Sequence, residues 1–173
     1  MSSNPLHLWY SETYSFGIDE KANFPRLRYQ FTKELLHEDP RIVFNQAPKI
    51  SIDDIIRIHD LNYVHRFLEG NLTEKEQRAI GLRPWKPDIV DRTLHLLGGT
   101  LEATKQVIHH GGFAGNLAGG THHAFSDRGA GYCIFNDIAV CARYAQMEFG
   151  FQNLLVILLY KFSSFGLRSG HKY

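Results

Sequence analysis

Residues 119–137 read GGTHHAFSDRGAGYCIFND, a glycine-rich loop that carries two adjacent histidines and ends where a helix can begin. Before this loop, residues 113–118 are short, small and apolar, which is typical of a buried strand passing close to its neighbours. After it, Asn136 or Asp137 can cap a helix, and residues 153–159 form a continuous apolar run of strand length. Such runs are typical of strands covered on both faces in parallel sheets. The order strand, loop, helix, strand predicts an α/β fold with a parallel sheet and flanking helices.

Upstream of this unit, the sequence predicts strands at residues 6–10 and 41–44 and a series of helices. The first helix follows a cap and a proline at residues 23–25, and Leu27, Phe31 and Leu35 give it one apolar face by their spacing of four. The later helices are predicted from caps and apolar periodicity, and they begin near Ser51, Asp60, Thr73 and Pro87. Gly98 and Gly99 weaken the middle of the last of these helices, which indicates close packing at that point.

Composition excludes several classes of protein. The chain has 173 residues, of which 43% are hydrophobic and 21% charged, and this balance predicts one soluble globular domain. With 19 Lys and Arg against 18 Asp and Glu, the net charge of +1 gives no global attraction to nucleic acid or to a membrane surface. The longest apolar run is far shorter than the roughly 20 residues of a membrane span, and the N-terminus does not have the pattern of a signal peptide. Two cysteines without a disulfide or zinc-finger pattern predict a cytoplasmic protein.

Histidine is the compositional outlier, with ten in the chain, and His122 and His123 are adjacent on the glycine-rich loop. An imidazole has an unperturbed pKa of about 6.5, so small changes of environment select its acid or its base form. At the end of a strand, where α/β folds bind ligands, such a pair suits proton transfer. Taken alone, however, two adjacent histidines are more often one core residue and one surface residue.

The residues that flank the two histidines favour a functional role for the pair. Gly-Gly-Thr-His-His-Ala at 119–124, a short loop, and Gly-Tyr-Cys-Ile-Phe-Asn-Asp at 131–137 resemble the histone deacetylase family of zinc-dependent amidohydrolases, including its acetoin-utilisation and acetylpolyamine branches. Weaker similarity extends over most of residues 6–157. It is carried by His59, Asp60, Tyr63, Val64, Gly99, Thr100 and residues 116–119. The resemblance implies that residues 1–157 are the N-terminal part of an incomplete arginase/deacetylase-like domain.

The resemblance also implies roles for individual residues. His122 matches the histidine that hydrogen-bonds the metal-bound water, and His123 matches the general base. Gly131 matches a glycine whose carbonyl helps to hold the substrate amide. Tyr132 matches the aromatic wall of the narrow acyl channel, where family members often carry Phe. The implied cofactor is zinc, and the implied substrate is an acetylated lysine or a small acetylated amine.

The C-terminal residues depart from the family pattern. After its apolar strand the family continues with Asp-x-Asp-x-His, whose second Asp and His bind zinc, and this chain has Leu158, Tyr160 and Phe162 at the matching positions. Later family residues, an Asp ligand and a Tyr that polarises the carbonyl, have no counterpart before Tyr173. A catalytic zinc takes three protein ligands. We therefore expect no metal ligands and no bound zinc in this chain, and hence no catalysis.

Two interpretations of residues 158–173 stay open. An altered reading frame or a truncated gene would give the front of a deacetylase domain with an unrelated tail, and an unfinished sheet would then leave apolar surface uncovered. A genuinely diverged C-terminal strand is the competing interpretation. Correspondingly, the chain is an inactive form of a deacetylase, a non-catalytic pseudoenzyme that binds a partner, or an amidohydrolase with another ligand set that uses His122 and His123.

Other signals predict structure alone. His59 and Asp60 resemble a phosphohydrolase dyad, but Asp60 fits better as a helix cap. His109 and His110 lie at a predicted helix C-terminus, where a positive charge is favourable. The glycines at 111–120 do not fit a dinucleotide-binding loop, so no nucleotide cofactor is expected.

Overall fold

A three-stranded parallel sheet is the centre of the computed structural model, which describes residues 5–158. The strands are β1 (Leu6–Tyr10), β2 (Ile42–Gln46) and β3 (Ala114–Asn116), in the order β2-β1-β3. Leu8 of β1 lies opposite Phe44 in β2 and Gly115 in β3. Because all three strands run in the same direction, their carboxyl ends meet at one edge of the sheet. The predicted α/β fold with a parallel sheet is confirmed.

Helices pack around the sheet. A short 3-10 helix covers Glu12–Ser15, and the α-helices of the described region are α1 (Arg28–Leu36), α2 (Ile52–Ile56), α3 (Leu61–Leu68), α4 (Glu74–Ile80), α5 (Ile89–His110) and α6 (Asp137–Phe149). Side chains of Ser51, Asp60, Thr73 and Asn136 accept hydrogen bonds from backbone amides at the starts of α2, α3, α4 and α6. The caps predicted at the first three positions are confirmed, and of the two candidates for α6, Asn136 and Asp137, the cap is Asn136. Within residues 5–158, no helix has the length and apolarity that a membrane crossing requires.

Helix α5 is the central support of the fold, since it contacts β1, β3 and α6. A Cβ atom at Gly98 would overlap the Pro48 carbonyl oxygen and lie 3.0 Å from the Ile50 nitrogen. A Cβ atom at Gly99 would overlap the Tyr14 hydroxyl. The close packing predicted from these glycines is confirmed, and it brings α5 directly against the loops at the carboxyl edge of the sheet.

The apolar face predicted for the first helix is wrong. Leu35 is 84% exposed and Phe31 55% exposed, and the only buried residue of α1 is Tyr29. The Tyr29 ring packs edge-on against Tyr14, with 5.8 Å between ring centroids. This single anchor orients the helix, so the stripe of apolar residues points to solvent. The predicted cap at residues 23–25 is also wrong, because Leu27 occupies the cap position and no side chain bonds to the first turn.

The buried strand predicted at residues 153–159 is wrong for residues 153–158, which form neither helix nor strand. Leu155 is 85% exposed and Ile157 68% exposed. A strand buried on both faces needs a neighbouring strand and a covering layer on each side. In the described part of the chain, β1, β2 and β3 pair only with one another, so this segment has neither. Leu159 lies outside the described residues.

We expect this exposed segment to drive self-association. Five consecutive apolar side chains at 154–158 form a patch of the kind that soluble monomers rarely expose. The double variant Leu155→Lys/Ile157→Lys should therefore shift the protein toward monomer in sedimentation velocity. Leu61→Lys/Met147→Lys is the control, because it changes two exposed apolar residues on separate helices and should leave association unchanged. Wild-type protein that stays monomeric at high concentration would contradict this expectation.

Candidate active site

The histidine loop, residues 119–136, lies at the carboxyl edge of the sheet between β3 and α6. This is the edge at which open α/β sheets bind ligands. The loop begins next to α5, because a Cβ atom at Gly119 would lie 2.8 Å from the Thr100 hydroxyl. The structure therefore brings the two histidines, Gly131 and Tyr132 onto one loop at the edge that the sequence predicts.

His122 has a defined ring orientation. Its Nδ1 lies 2.9 Å from the Gly120 carbonyl oxygen, and because a carbonyl can only accept, Nδ1 carries the hydrogen. In the neutral ring, Nε2 is then the acceptor nitrogen. The His122 and His123 rings are neighbours, with 4.1 Å between centroids and 38° between planes. The loop thus presents two imidazoles side by side.

His123 is exposed and packs against Gly131. A Cβ atom at residue 131 would lie 3.2 Å from His123 Cδ2, and Gly131 has a φ of +52°, which favours glycine. The Gly131 amide donates to the Ala79 carbonyl at 3.2 Å, and its carbonyl accepts from the Cys133 thiol at 3.5 Å. The predicted base and the predicted amide-holding glycine are therefore in contact.

Tyr132 is held in a strained conformation beside them. Its φ is +67°, a region that non-glycine residues rarely adopt and that is often found at functional sites. Its amide donates to the Ile80 carbonyl at 2.6 Å, and its ring packs against Phe24 with 5.5 Å between centroids. The ring remains 47% exposed. Its assignment as the wall of an acyl channel stays a prediction.

Asn136 and Asp137 hold the loop from its far end, and the sequence predicted them only as caps. The Asn136 side-chain amide lies 3.4 Å from the His122 carbonyl oxygen and 3.3 Å from that of Ala124, to which it donates. The Asp137 carboxylate is fully buried and accepts from the amides of Gly120 and Thr121. These bonds cross 12 to 17 positions of the chain, so periodicity could not reveal them. The adjacent Asn and Asp are the sequence feature that could have indicated this role in holding the loop.

His59 holds the loop at two points, a role that the sequence does not predict for it. Its Nε2 accepts the Asn136 amide hydrogen at 2.9 Å, so Nδ1 carries the ring hydrogen and donates to the Ser126 carbonyl at 3.2 Å. The side chain is buried against the Phe135 ring, and this burial lowers the pKa of His59. Neighbouring Asp60 caps α3, as predicted.

We expect His59 to make the fold weaker in acid. Its folded-state pKa is lowered, so the unfolded chain binds more protons as the pH falls. Its contribution is fully present above the unfolded pKa of about 6.5 and is lost as the pH falls toward the folded value. In chemical denaturation between pH 8 and pH 5, His59→Gln should lose part of the wild-type pH dependence, whereas exposed His110→Gln should keep it. Identical pH profiles for wild type and His59→Gln would contradict this assignment.

The described residues do not provide a zinc site. Among residues 5–158, no group of three or more His, Cys, Asp or Glu side chains is placed to hold a metal ion. His122 and His123 supply two imidazoles, and a catalytic zinc requires three ligands. Leu158, at the first position of the missing Asp-x-Asp-x-His pattern, is exposed and has no ligating atom. Tyr160 and Phe162 lie outside the described residues.

Both cysteines are free and buried. Burial raises the pKa of the Cys133 thiol, which disfavours the thiolate that metal binding or nucleophilic attack needs. Cys133 therefore contributes packing and a hydrogen bond to Gly131.

Comparison with known proteins supports the family that the histidine motif indicates. The family model of the histone deacetylase domain matches residues 23–158. The chain belongs to the histone deacetylase family. An uncharacterized protein of Picosynechococcus is 38% identical over 151 residues, which is 86% of this chain and 50% of that protein. The acetoin utilization protein AcuC of Staphylococcus aureus is 28% identical over 168 residues, 90% of this chain and 43% of that protein.

The fold agrees with this membership. The crystal structure of the HDA15 HD domain superposes on the present structure with a TM-score of 0.64 at 15% sequence identity. The superposition covers 84% of the present chain and 44% of the HDA15 chain. This similarity shows the fold. The chain spans about half the length of the relatives it matches.

Proposed function

We propose that this chain carries the histidine side of a deacetylase active site, of the kind that acts on the amide of acetyl-lysine or of a small acetylated amine. The observation that carries the proposal is the His122–His123 pair, side by side on a loop fastened at the carboxyl edge of the sheet. Family membership supports a deacetylase-like function. The substrate class follows from the family resemblance.

In this proposal each loop residue has one task. The exposed His123 ring accepts the proton of the water that attacks the acetyl carbonyl, and later returns it to the leaving amine. His122 binds the same water, as the family resemblance implies, and its Nδ1 donates to the Gly120 carbonyl and thereby orients the ring. The Gly131 carbonyl accepts the substrate N–H, and the half-exposed Tyr132 ring lies along the acyl chain.

We further propose that the chain by itself neither holds a catalytic zinc nor hydrolyses amides. In the family, zinc polarises the carbonyl and activates the water. The absence of a three-ligand cluster among residues 5–158 supports this proposal, together with Leu158, Tyr160 and Phe162 at the family's ligand positions. The two free buried cysteines suit a reducing compartment, and we propose a cytoplasmic location.

A chimera tests the proposed function. Residues 1–150 would be joined to the part of the Staphylococcus aureus AcuC protein that follows the region similar to this chain, a region that makes up 43% of that protein. We expect acetate release from an acetyl-lysine peptide or an acetylated polyamine, and a loss of about 100-fold or more in His123→Ala. His110→Ala, at the exposed end of α5, is the control and should retain the rate. A folded chimera whose hydrolysis is independent of His123 would overturn the proposal.

The exposed apolar segment at 154–158 favours a second function, that of a non-catalytic module which binds a partner. The unmodified chain distinguishes the two. Stable folding and specific partner binding that His122→Ala and His123→Ala leave intact would support the binding module, whereas the deacetylase proposal requires both histidines.

A further inference from the structure

A buried carboxylate lies directly behind the histidine loop. Oδ1 of Asp137 accepts from the Thr121 amide at 2.7 Å, the Thr121 hydroxyl at 2.7 Å and the Ile138 amide at 3.0 Å. Oδ2 accepts from the Gly120 amide at 3.0 Å and the Thr100 hydroxyl at 2.8 Å. Gly120 and Thr121 are the two residues that precede His122. Asp137 therefore fixes the backbone from which the histidines project.

From Asp137, hydrogen bonds lead away from the loop to Thr100, Asn116 and Tyr14, and each residue donates to the one nearer the loop. The Thr100 hydroxyl lies closer to Asp137 Oδ2, at 2.8 Å, than to the Leu96 carbonyl, at 3.3 Å, so it donates to the carboxylate. Its oxygen then accepts from the Asn116 side-chain amide at 3.0 Å. The Asn116 carbonyl oxygen accepts from the Tyr14 hydroxyl at 2.7 Å. Tyr14, Asn116, Thr100 and Asp137 thus form a single chain in which every bond points toward the histidine loop.

Two glycines make space for this chain. A Cβ atom at Gly99 would overlap the Tyr14 hydroxyl and lie 2.8 Å from the Asn116 side chain. A Cβ atom at Gly119 would lie 2.6 Å from Asp137 Oδ2 and 2.8 Å from the Thr100 hydroxyl. Any larger residue at either position would displace a member of the chain. The polar network therefore explains both glycines.

We infer that the chain Tyr14–Asn116–Thr100–Asp137 sets the geometry of the His122–His123 pair, and that Thr100 and Asp137 are positioning residues of this site. The catalytic meaning of this inference rests on the proposed function. The geometric part does not, since it concerns where the loop backbone and the imidazoles lie. Directional chains of this kind are stiff because each bond polarises the next. Breaking one bond in the middle should loosen the loop while leaving the surrounding core in place.

Thr100→Val tests the inference with the intact 173-residue chain, because valine keeps the shape of threonine and removes the hydroxyl. We expect hydrogen exchange of the Gly120 and Thr121 amides to rise by about tenfold or more, with a change in the imidazole ¹⁵N signals of His122. Thr100→Ser restores the hydroxyl and should restore both signals. Thr104→Val is the matched control, because the Thr104 hydroxyl donates to the Thr100 carbonyl within the same helix.

Tyr14→Phe provides an independent readout if Thr100→Val does not fold, since it removes only the first donor of the chain. It should change the same amide and imidazole signals in the same direction and to a smaller extent. Unchanged loop signals in folded Thr100→Val or Tyr14→Phe would overturn the inference. The hydrogen-exchange and imidazole measurements do not require that the protein is catalytically active. The two proposals can therefore fail separately. If the loop signals of the variants change but the AcuC chimera is inactive, the deacetylase proposal is rejected and the positioning role stands.

Discussion

Gly98→Ala is expected to destabilise the protein by about 3 kcal/mol or more, because the added methyl group has no room. It would overlap the Pro48 carbonyl oxygen and lie 3.0 Å from the Ile50 nitrogen, and both contacts are with backbone. A flexible side chain could move aside, but here helix α5 must separate from the segment after β2. This cost exceeds the gain of about 1 kcal/mol that alanine brings to a helix interior. The free energy of unfolding in urea measures the effect.

Gly70→Ala is the control for this substitution. Gly70 has a φ of +73° and no atom within 4 Å of its Cβ position, so alanine there introduces backbone strain without overlap. We expect a cost of about 1 kcal/mol for it. Equal costs at the two positions would show that α5 is not in close contact with Pro48.

Phe135→Ala is expected to cost about 4 kcal/mol, because it empties the centre of an aromatic cluster. Phe135 is fully buried, and its ring lies 5.0 Å from His59, 5.2 Å from Phe67 and 5.5 Å from Tyr63 by centroid distance. It also immediately precedes Asn136, whose amide bonds to His59. Its loss should therefore both lower the unfolding free energy and broaden the NMR signals of His122 and His123.

Phe125→Ala is the matched control, since it makes the same change in the same loop. Phe125 is 51% exposed and packs under the Arg128 guanidinium, which lies 3.8 Å from its ring centroid. The expected cost is below about 1 kcal/mol, as for most exposed substitutions. If the two variants lost the same stability, the aromatic cluster could not be the support of the histidine loop.

Sequence patterns predicted elements whose determinants are local. In helix α3, Asp60 binds the first turn and Tyr63, Val64 and Phe67 share the buried face, so cap and periodicity agree. The capping box of Thr73 and Glu76 is equally local and is also confirmed. Where a segment depends on distant partners, the same reasoning failed. The apolar stripe of α1 was assigned to the core, but docking through Tyr29 turns it outward.

The candidate site likewise contains residues that the sequence predicts and residues whose roles depend on distant contacts. Its histidines, Gly131 and Tyr132 could be named from the motif, because they are contiguous and resemble a known family. Its supports could not be named, since His59 meets Asn136 across 77 positions and Tyr14 meets Asn116 across 102. Such contacts depend on the packed arrangement of α5, α6 and β3. The family resemblance includes His59, Thr100 and residues 116–119, but it does not show which residues they contact.

We propose that this chain carries the histidine side of a deacetylase site and that it does not hold a catalytic zinc by itself. The number of zinc ions per chain decides this, measured by mass spectrometry after equilibrium dialysis of the purified chain against a zinc buffer. We predict far less than one zinc per chain, with equal amounts in wild type and in His122→Ala/His123→Ala. One zinc per chain, lost in the double variant, would contradict the claim and make the chain a metal-binding amidohydrolase in its own right.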